Sequence, residues 1–179
     1  MGSYDQLWAP WRMGYILGEK QEVGADELGL ELPPGAHPDC FLCQGAANPD
    51  PRSQHVVRKT QHTVALLNRY PYNNGHLLVA PRRHRARLDD LTAEEQLDLI
   101  QQVSQMIGLL EKVVHPEGFN VGLNLGRAAG AGLPGHLHWH VVPRWVGDTN
   151  FMPALAAVKV IPQALETLWK AMTDDPHAA

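Results

Sequence analysis

No stretch of the 179-residue chain is apolar for long enough to be a membrane span. Basic charge is not in excess either. The 15 Lys and Arg face 19 Asp and Glu, a formal net charge of −4, so nothing electrostatic argues for general nucleic-acid binding. The first residues lack the basic-then-apolar layout of a secretion signal, and the expectation is a cytoplasmic protein. Internal repeats and low-complexity tracts are missing as well. What remains is a globular composition, 44% hydrophobic and 19% charged, long enough to bury one real core. Cysteine is scarce: Cys40 and Cys43 are the full complement. Spaced Cys-x-x-Cys in a chain expected to be cytoplasmic, they suggest metal binding or redox work before a structural disulfide.

Histidine is the residue the chain does concentrate. In Gly132-Leu-Pro-Gly-His136-Leu-His138-Trp-His140-Val-Val142-Pro-Arg144, a strand's side-chain period of two puts His136, His138, His140 and Val142 on one face. Leu137, Trp139 and Val141 fall on the other, which is apolar and can pack into a core. Successive histidine Cα atoms would lie roughly 6.5–7 Å apart. Pro143 suits a strand end, because it cannot donate to the ladder. A face of three imidazoles is a costly way to fill a core, so chemistry is the better reading. Two kinds are open: a nucleophilic histidine, or a catalytic zinc held by His136, His138 and His140. The preceding run, Gly126 to Gly135, is rich in glycine, and its backbone N–H groups can approach an anion closely.

Short β-branched and apolar runs predict strands over Gln54–Lys59 and Thr63–Asn68, and another over His76–Ala80 after the dense turn chemistry of residues 70–75. Thr92-Ala-Glu-Glu95 is a capping box opening the longest helix, with Leu97, Ile100, Ile107, Leu110 and Val114 at helical spacing and an end near His115-Pro116. Phe119 to Leu125 alternates, with Asn120, Gly122 and Asn124 on the polar face. Residues Pro162–Met172 read as a closing helix with an apolar stripe of Leu165, Leu168, Trp169 and Met172. The expectation is an α+β fold with about five strands in a mostly antiparallel sheet, one long helix inserted before the last two strands and a C-terminal helix. Residues 1–37 read as an N-terminal arm and loop in which Trp8 and Trp11 anchor the arm or stack a base, 38–150 as the main domain, and 151–179 as an extension with a helix. The arginines 82, 83, 85 and 87 read as a solvated face.

Asn68 and Asn124 can each donate to and accept from ribose hydroxyls. Asn is also a common turn residue, and His76 could simply tie its loop down. Backbone amides of the loop up to Gly135, those of Gly132 and Gly135 included, could stabilise charge on phosphate oxygens. Two further ligands would close a tetrahedral site on Cys40 and Cys43, with His37, His55, His62, His84, His115 and His136 as candidates.

The motif His136-Leu-His138-Trp-His140-Val-Val resembles the signature of the histidine triad (HIT) family over roughly residues 38–150. The resemblance implies an antiparallel five-stranded sheet with packed helices, a homodimer, and the middle histidine, His138, as a nucleophile forming a covalent nucleotidyl intermediate. His140 would contact phosphate or leaving-group oxygens, and His76 matches the outlying histidine near the phosphate. Asn68 stands where hydrolases of dinucleoside polyphosphates carry a ribose-contacting Asn and where phosphoramidases usually carry Asp. The loop Gly132-Leu133-Pro134 lacks the Gln-Ser or Gln-Thr of many members, and with its flanks it resembles the bacterial diadenosine tetraphosphate phosphorylase branch. A subset of the family closes a structural zinc site with two histidines, which here are His84 and His136 beside Cys40 and Cys43. The activity implied is cleavage of diadenosine polyphosphates at an α-phosphate, with water or inorganic phosphate opening the adduct. Alternatives are a nucleoside phosphoramidase or related nucleotidyl hydrolase or transferase, a zinc metallohydrolase, and a non-catalytic nucleotide sensor.

Overall fold

A computed structural model describes residues 24–148, 161 and 163–174. The arm carrying Trp8 and Trp11, residues 149–160, Pro162 and the last five residues lie outside the described residues. The elements in chain order are α1 (Phe41–Ala47), β1 (Val56–Lys59), β2 (Thr63–Leu67), β3 (Leu77–Pro81), α2 (Ala93–Val114), β4 (Gly118–Leu123), β5 (Trp139–Arg144) and α3 (Leu165–Thr173). The five strands form one sheet in the order β1-β2-β3-β5-β4, antiparallel at every pairing. The expected α+β architecture is what the chain adopts.

Both faces of the sheet centre are covered, which explains why β2 and β3 are buried along their whole length and read as unbroken apolar runs. On one face Ala65, Leu67, Leu77, Val79 and Val141 pack with Leu99, Val103, Met106 and Leu110 of α2 and with Leu168 and Met172 of α3. On the other, Val64, Leu66, Leu78 and Ala80 pack beneath α1, against Cys40, Leu42, Cys43 and Ala46. The register places Leu78, His140 and Gly122 side by side on this second face. A Cβ on Gly122 would meet nothing within 4 Å, so the sheet stays open beside His140.

The capping box forms as expected: the Glu95 N–H donates to Thr92 Oγ1, and the Thr92 N–H to Glu95 Oε2. The expected apolar stripe of α2 is partly displaced. Leu97 and Ile100 are 59% and 52% exposed, while the spacing Leu99, Val103, Met106, Leu110 faces the sheet. The helix carries apolar residues on more than one stripe, and only contact with the sheet decides between them.

The triad segment also differs from expectation. The ladder of β5 begins at Trp139, so His136 and His138 precede it, where the Leu137 N–H donates to Arg85 O at 2.6 Å. Pro143 lies inside β5, paired with Phe119. It is tolerated because the β3 ladder ends at Leu77–Val141, and the Pro143 carbonyl accepts from Asn73 Nδ2. Strand β4 ends at Leu123, leaving Asn124 and Leu125 just beyond it.

Candidate active site

Two clusters of imidazoles sit on the second sheet face, and hydrogen bonding assigns them opposite jobs. His138 is 7% exposed, and its Nδ1 lies 2.8 Å from the His136 carbonyl. A carbonyl only accepts, so Nδ1 carries the proton and Nε2 keeps a lone pair. Burial lowers the His138 pKa, which favours the neutral ring.

A second chain of bonds starts from the loop before β3. The Tyr72 backbone N–H donates to His76 Nδ1 at 3.0 Å, and Asn68 Nδ2 lies 3.2 Å from the same nitrogen. His76 Nδ1 is therefore an acceptor and its Nε2 holds the proton, which it donates to His140 Nδ1 at 2.9 Å. His140 in turn must carry its proton on Nε2, a buried N–H with no partner among the described residues. Burial, then the neighbouring His138, push the His140 pKa down to about 4, so this ring too is neutral near pH 7. His138 and His140 meet edge to face at 5.0 Å between ring centres. The centre thus presents a lone pair and an N–H donor side by side.

The loop that orients His76 is firmly held. Asn68 Oδ1 accepts from the Tyr70 N–H, and Asn73 Nδ2 donates to Pro143 O and to Asp148 Oδ2. Asp148 is bound in a fork by Arg144. Gly75 adopts φ +76°, and a Cβ there would lie 2.9 Å from Leu110 and 3.1 Å from Pro143. Asn68 therefore serves the turn and His76 at once. Sequence reasoning missed Tyr72, Asn73 and Asp148; a second aromatic, Tyr72, between Pro71 and Asn73 within a turn was the available signal.

The other cluster consists of Cys40, Cys43, His84 and His136, whose donor atoms all lie within 4.8 Å of one another. Cys40 Sγ is 3.2 Å from His136 Nδ1, and Cys43 Sγ is 3.3 Å from His84 Nδ1. His136 Nε2 donates to the Pro81 carbonyl at 2.8 Å, which turns its Nδ1 lone pair toward the thiols. The hydrogen bond between the two free thiols holds the Cys43 thiol far below its ordinary range, with His136 assisting, and pushes Cys40 up. Of the other histidines considered as ligands, His37 stacks on His84 at 5.6 Å and accepts the Asp39 N–H. The three triad imidazoles do not converge as a metal site would require: His136 faces the cysteines, His138 a carbonyl and His140 His76.

The glycine-rich loop divides its amides. Those of Gly130 and Ala131 close local turns onto Arg127 O and Gly126 O, while those of Gly132 and Gly135 have no partner among the described residues. Gly135 also lets His84 approach, since a Cβ would sit 3.2 Å from His84 Nε2. Asn124 is half-buried just past β4. The basic cluster after β3 is not simply solvated: Arg83 forms a fork with Glu95, whose side chain is 5% exposed, and this couples the His84 loop to the α2 cap.

An antiparallel α+β sheet presenting a neutral imidazole with a free lone pair, a second imidazole as donor and a Cys-Cys-His-His cluster defines a class of histidine-based centre. The HIT domain family model matches residues 51–146, and the chain belongs to that family. It is 42% identical over 168 residues to the AP-4-A phosphorylase of Mycobacterium tuberculosis, covering 92% of this chain and 82% of that protein. It is 37% identical over 98 residues to the asymmetrical bis(5'-nucleosyl)-tetraphosphatase of Schizosaccharomyces pombe, covering 55% of this chain and 53% of that one. Among solved structures, a Zn-bound histidine triad family protein from Mycobacterium smegmatis shares the fold, with a TM-score of 0.61 at 24% identity over 75% of this chain and 91% of its own.

Proposed function

We propose that the protein is an enzyme that cleaves diadenosine polyphosphates, such as diadenosine tetraphosphate, at an α-phosphate through a covalent nucleotidyl-His138 intermediate. The observation that carries this reading is the His138 tautomer: Nδ1–H is held by the His136 carbonyl, which leaves Nε2 as a lone-pair nucleophile. Nε2 attacks the α-phosphorus, the bond from phosphorus to the bridging oxygen breaks, and ATP leaves from the tetraphosphate. The imidazolium formed is stabilised by its Nδ1–H···O=C bond. His140 Nε2–H donates to a phosphate or leaving-group oxygen, with His76 behind it, and the amides of Gly132 and Gly135 face the developing charge. Asn68 and Asn124 contact the nucleoside. A second nucleophile then opens the phosphorus–nitrogen bond: water yields AMP, inorganic phosphate yields ADP. Similarity to an AP-4-A phosphorylase over most of both chains favours phosphate. Incubation with diadenosine tetraphosphate with and without phosphate tests this, and the reading predicts ADP only when phosphate is present.

Cys40, Cys43, His84 and His136 would hold a structural zinc ion. The donor set fits: two thiols and two imidazoles, with three sulfur–nitrogen separations of 3.2, 3.3 and 3.6 Å against the edge of about 3.5 Å that tetrahedral zinc–sulfur and zinc–nitrogen bonds impose. Bound there, zinc would tie α1 to the catalytic strand and supply no reacting group. Residues 38–150 form the catalytic unit in this reading. A second copy of the chain would pair along the β4 edge, where Val121 is 41% and Leu125 47% exposed. Two free thiols suit a reducing, cytoplasmic setting, and among the described residues no helix is long and apolar enough to cross a membrane.

A further inference from the structure

Tyr72 is 45% exposed, an unusual place for an aromatic ring in a tightly bonded turn. Its ring stacks on His140, with centres 5.6 Å apart and planes 21° from parallel. The same ring lies 4.7 Å from His76, and its own backbone N–H donates to His76 Nδ1. One residue thus touches both members of the donor relay three times.

His140 needs such support. The hydrogen bond at Nδ1 restrains rotation of the ring about Cβ–Cγ, but within the angular tolerance of that bond the ring still turns and swings Nε2. Its other contacts are edge-on to His138 and tilted against His76 at 5.1 Å. A flat neighbour against the ring face narrows that remaining rotation, and the plane determines where the Nε2–H points. The chain also lacks the hydroxyl or amide side chains that residues 132–134 could have offered a phosphate. The direction of one N–H therefore matters more here.

We propose that Tyr72 is a positioning residue: its backbone sets the His76 tautomer, and its ring holds the His140 imidazole in the plane that aims Nε2–H at the phosphate. The inference rests on the reading of His140 as a phosphate donor. Tyr72 does not itself touch the reacting atoms, and its hydroxyl takes no part. The ring acts through stacking, so any flat aromatic ring at this position serves.

The test compares Tyr72→Ala, Tyr72→Leu and Tyr72→Phe with the parent, using steady-state turnover of diadenosine tetraphosphate and nitrogen-detected NMR of the His140 ring in the resting protein. Tyr72→Leu keeps an apolar side chain at the position without a flat face, so it decides the matter should Tyr72→Ala fold poorly. Expected for Ala and Leu is a kcat lower by about tenfold to a hundredfold with KM changed less than about threefold, and ring nitrogens that lose their distinct acceptor and donor signals. Tyr72→Phe restores kcat to within about threefold and keeps both signals. Unchanged kcat and unchanged His140 signals in Tyr72→Leu overturn the proposal, and so does a Tyr72→Phe defect as deep as that of Tyr72→Leu. Failure of the parent to cleave the substrate overturns the functional reading instead, and the resting-state NMR comparison still judges Tyr72.

Discussion

The two histidine clusters share one sheet face and one residue, yet their chemistry diverges. Around His138, His140 and His76, nearly every ring nitrogen is committed in a directed chain that ends in one lone pair and one N–H. Around Cys40, Cys43, His84 and His136, two sulfurs, the His136 lone pair and one nitrogen of His84 converge within 4.8 Å of one another. Which nitrogen holds the proton, together with the two thiols of the second cluster, separates the two arrangements. His136 belongs to both: its ring faces the thiols while its carbonyl holds the His138 ring.

The deepest break in that contrast is His138→Asn. It removes the lone pair and should cost at least about 10⁴-fold in turnover while nucleotide binding, measured by calorimetry, persists. Next is loss of the metal cluster. Cys40→Ser with Cys43→Ser, or exhaustive chelation, should remove one zinc per chain by elemental analysis and lower the thermal midpoint by about 5–15 °C. Turnover should fall by less than for His138→Asn, since only the support of His136 is lost; equal losses would erase the distinction between the clusters.

Acid should act on the catalytic centre first. The folded His140 pKa, about 4, lies below the ordinary 6.5, so the unfolded chain takes up a proton that the folded chain refuses. Stability from this group is complete above about pH 6.5 and drains away as pH falls toward 4. Chemical denaturation from pH 8 to 4 should show that decline, and His140→Asn should flatten it. The smallest effect is expected from Arg83→Ala, which strands the buried Glu95 carboxylate and loosens the loop bearing His84. A loss of about 1–3 kcal/mol in denaturation and weaker zinc retention should follow, with kcat within about threefold of the parent.

Much of this contrast was legible in the chain. Alternation around His136 to Val142 placed Leu137 and Val141 in the core, and both are buried there. The capping box located the start of α2. Tautomers were not legible, because they depend on backbone groups such as the Tyr72 N–H and the carbonyls of Pro81 and His136, whose directions follow only from the fold. The same limit explains Leu97 and Ile100: periodicity finds an apolar stripe, but the sheet chooses which one it covers.

The most direct test of the account is rapid quenching of the protein during turnover of diadenosine tetraphosphate, followed by peptide mass analysis of residues 136–144. The account predicts a mass gain of one nucleotidyl group located on His138 and absent from His138→Asn. Product accumulating while that peptide stays unmodified at every quench time would contradict it.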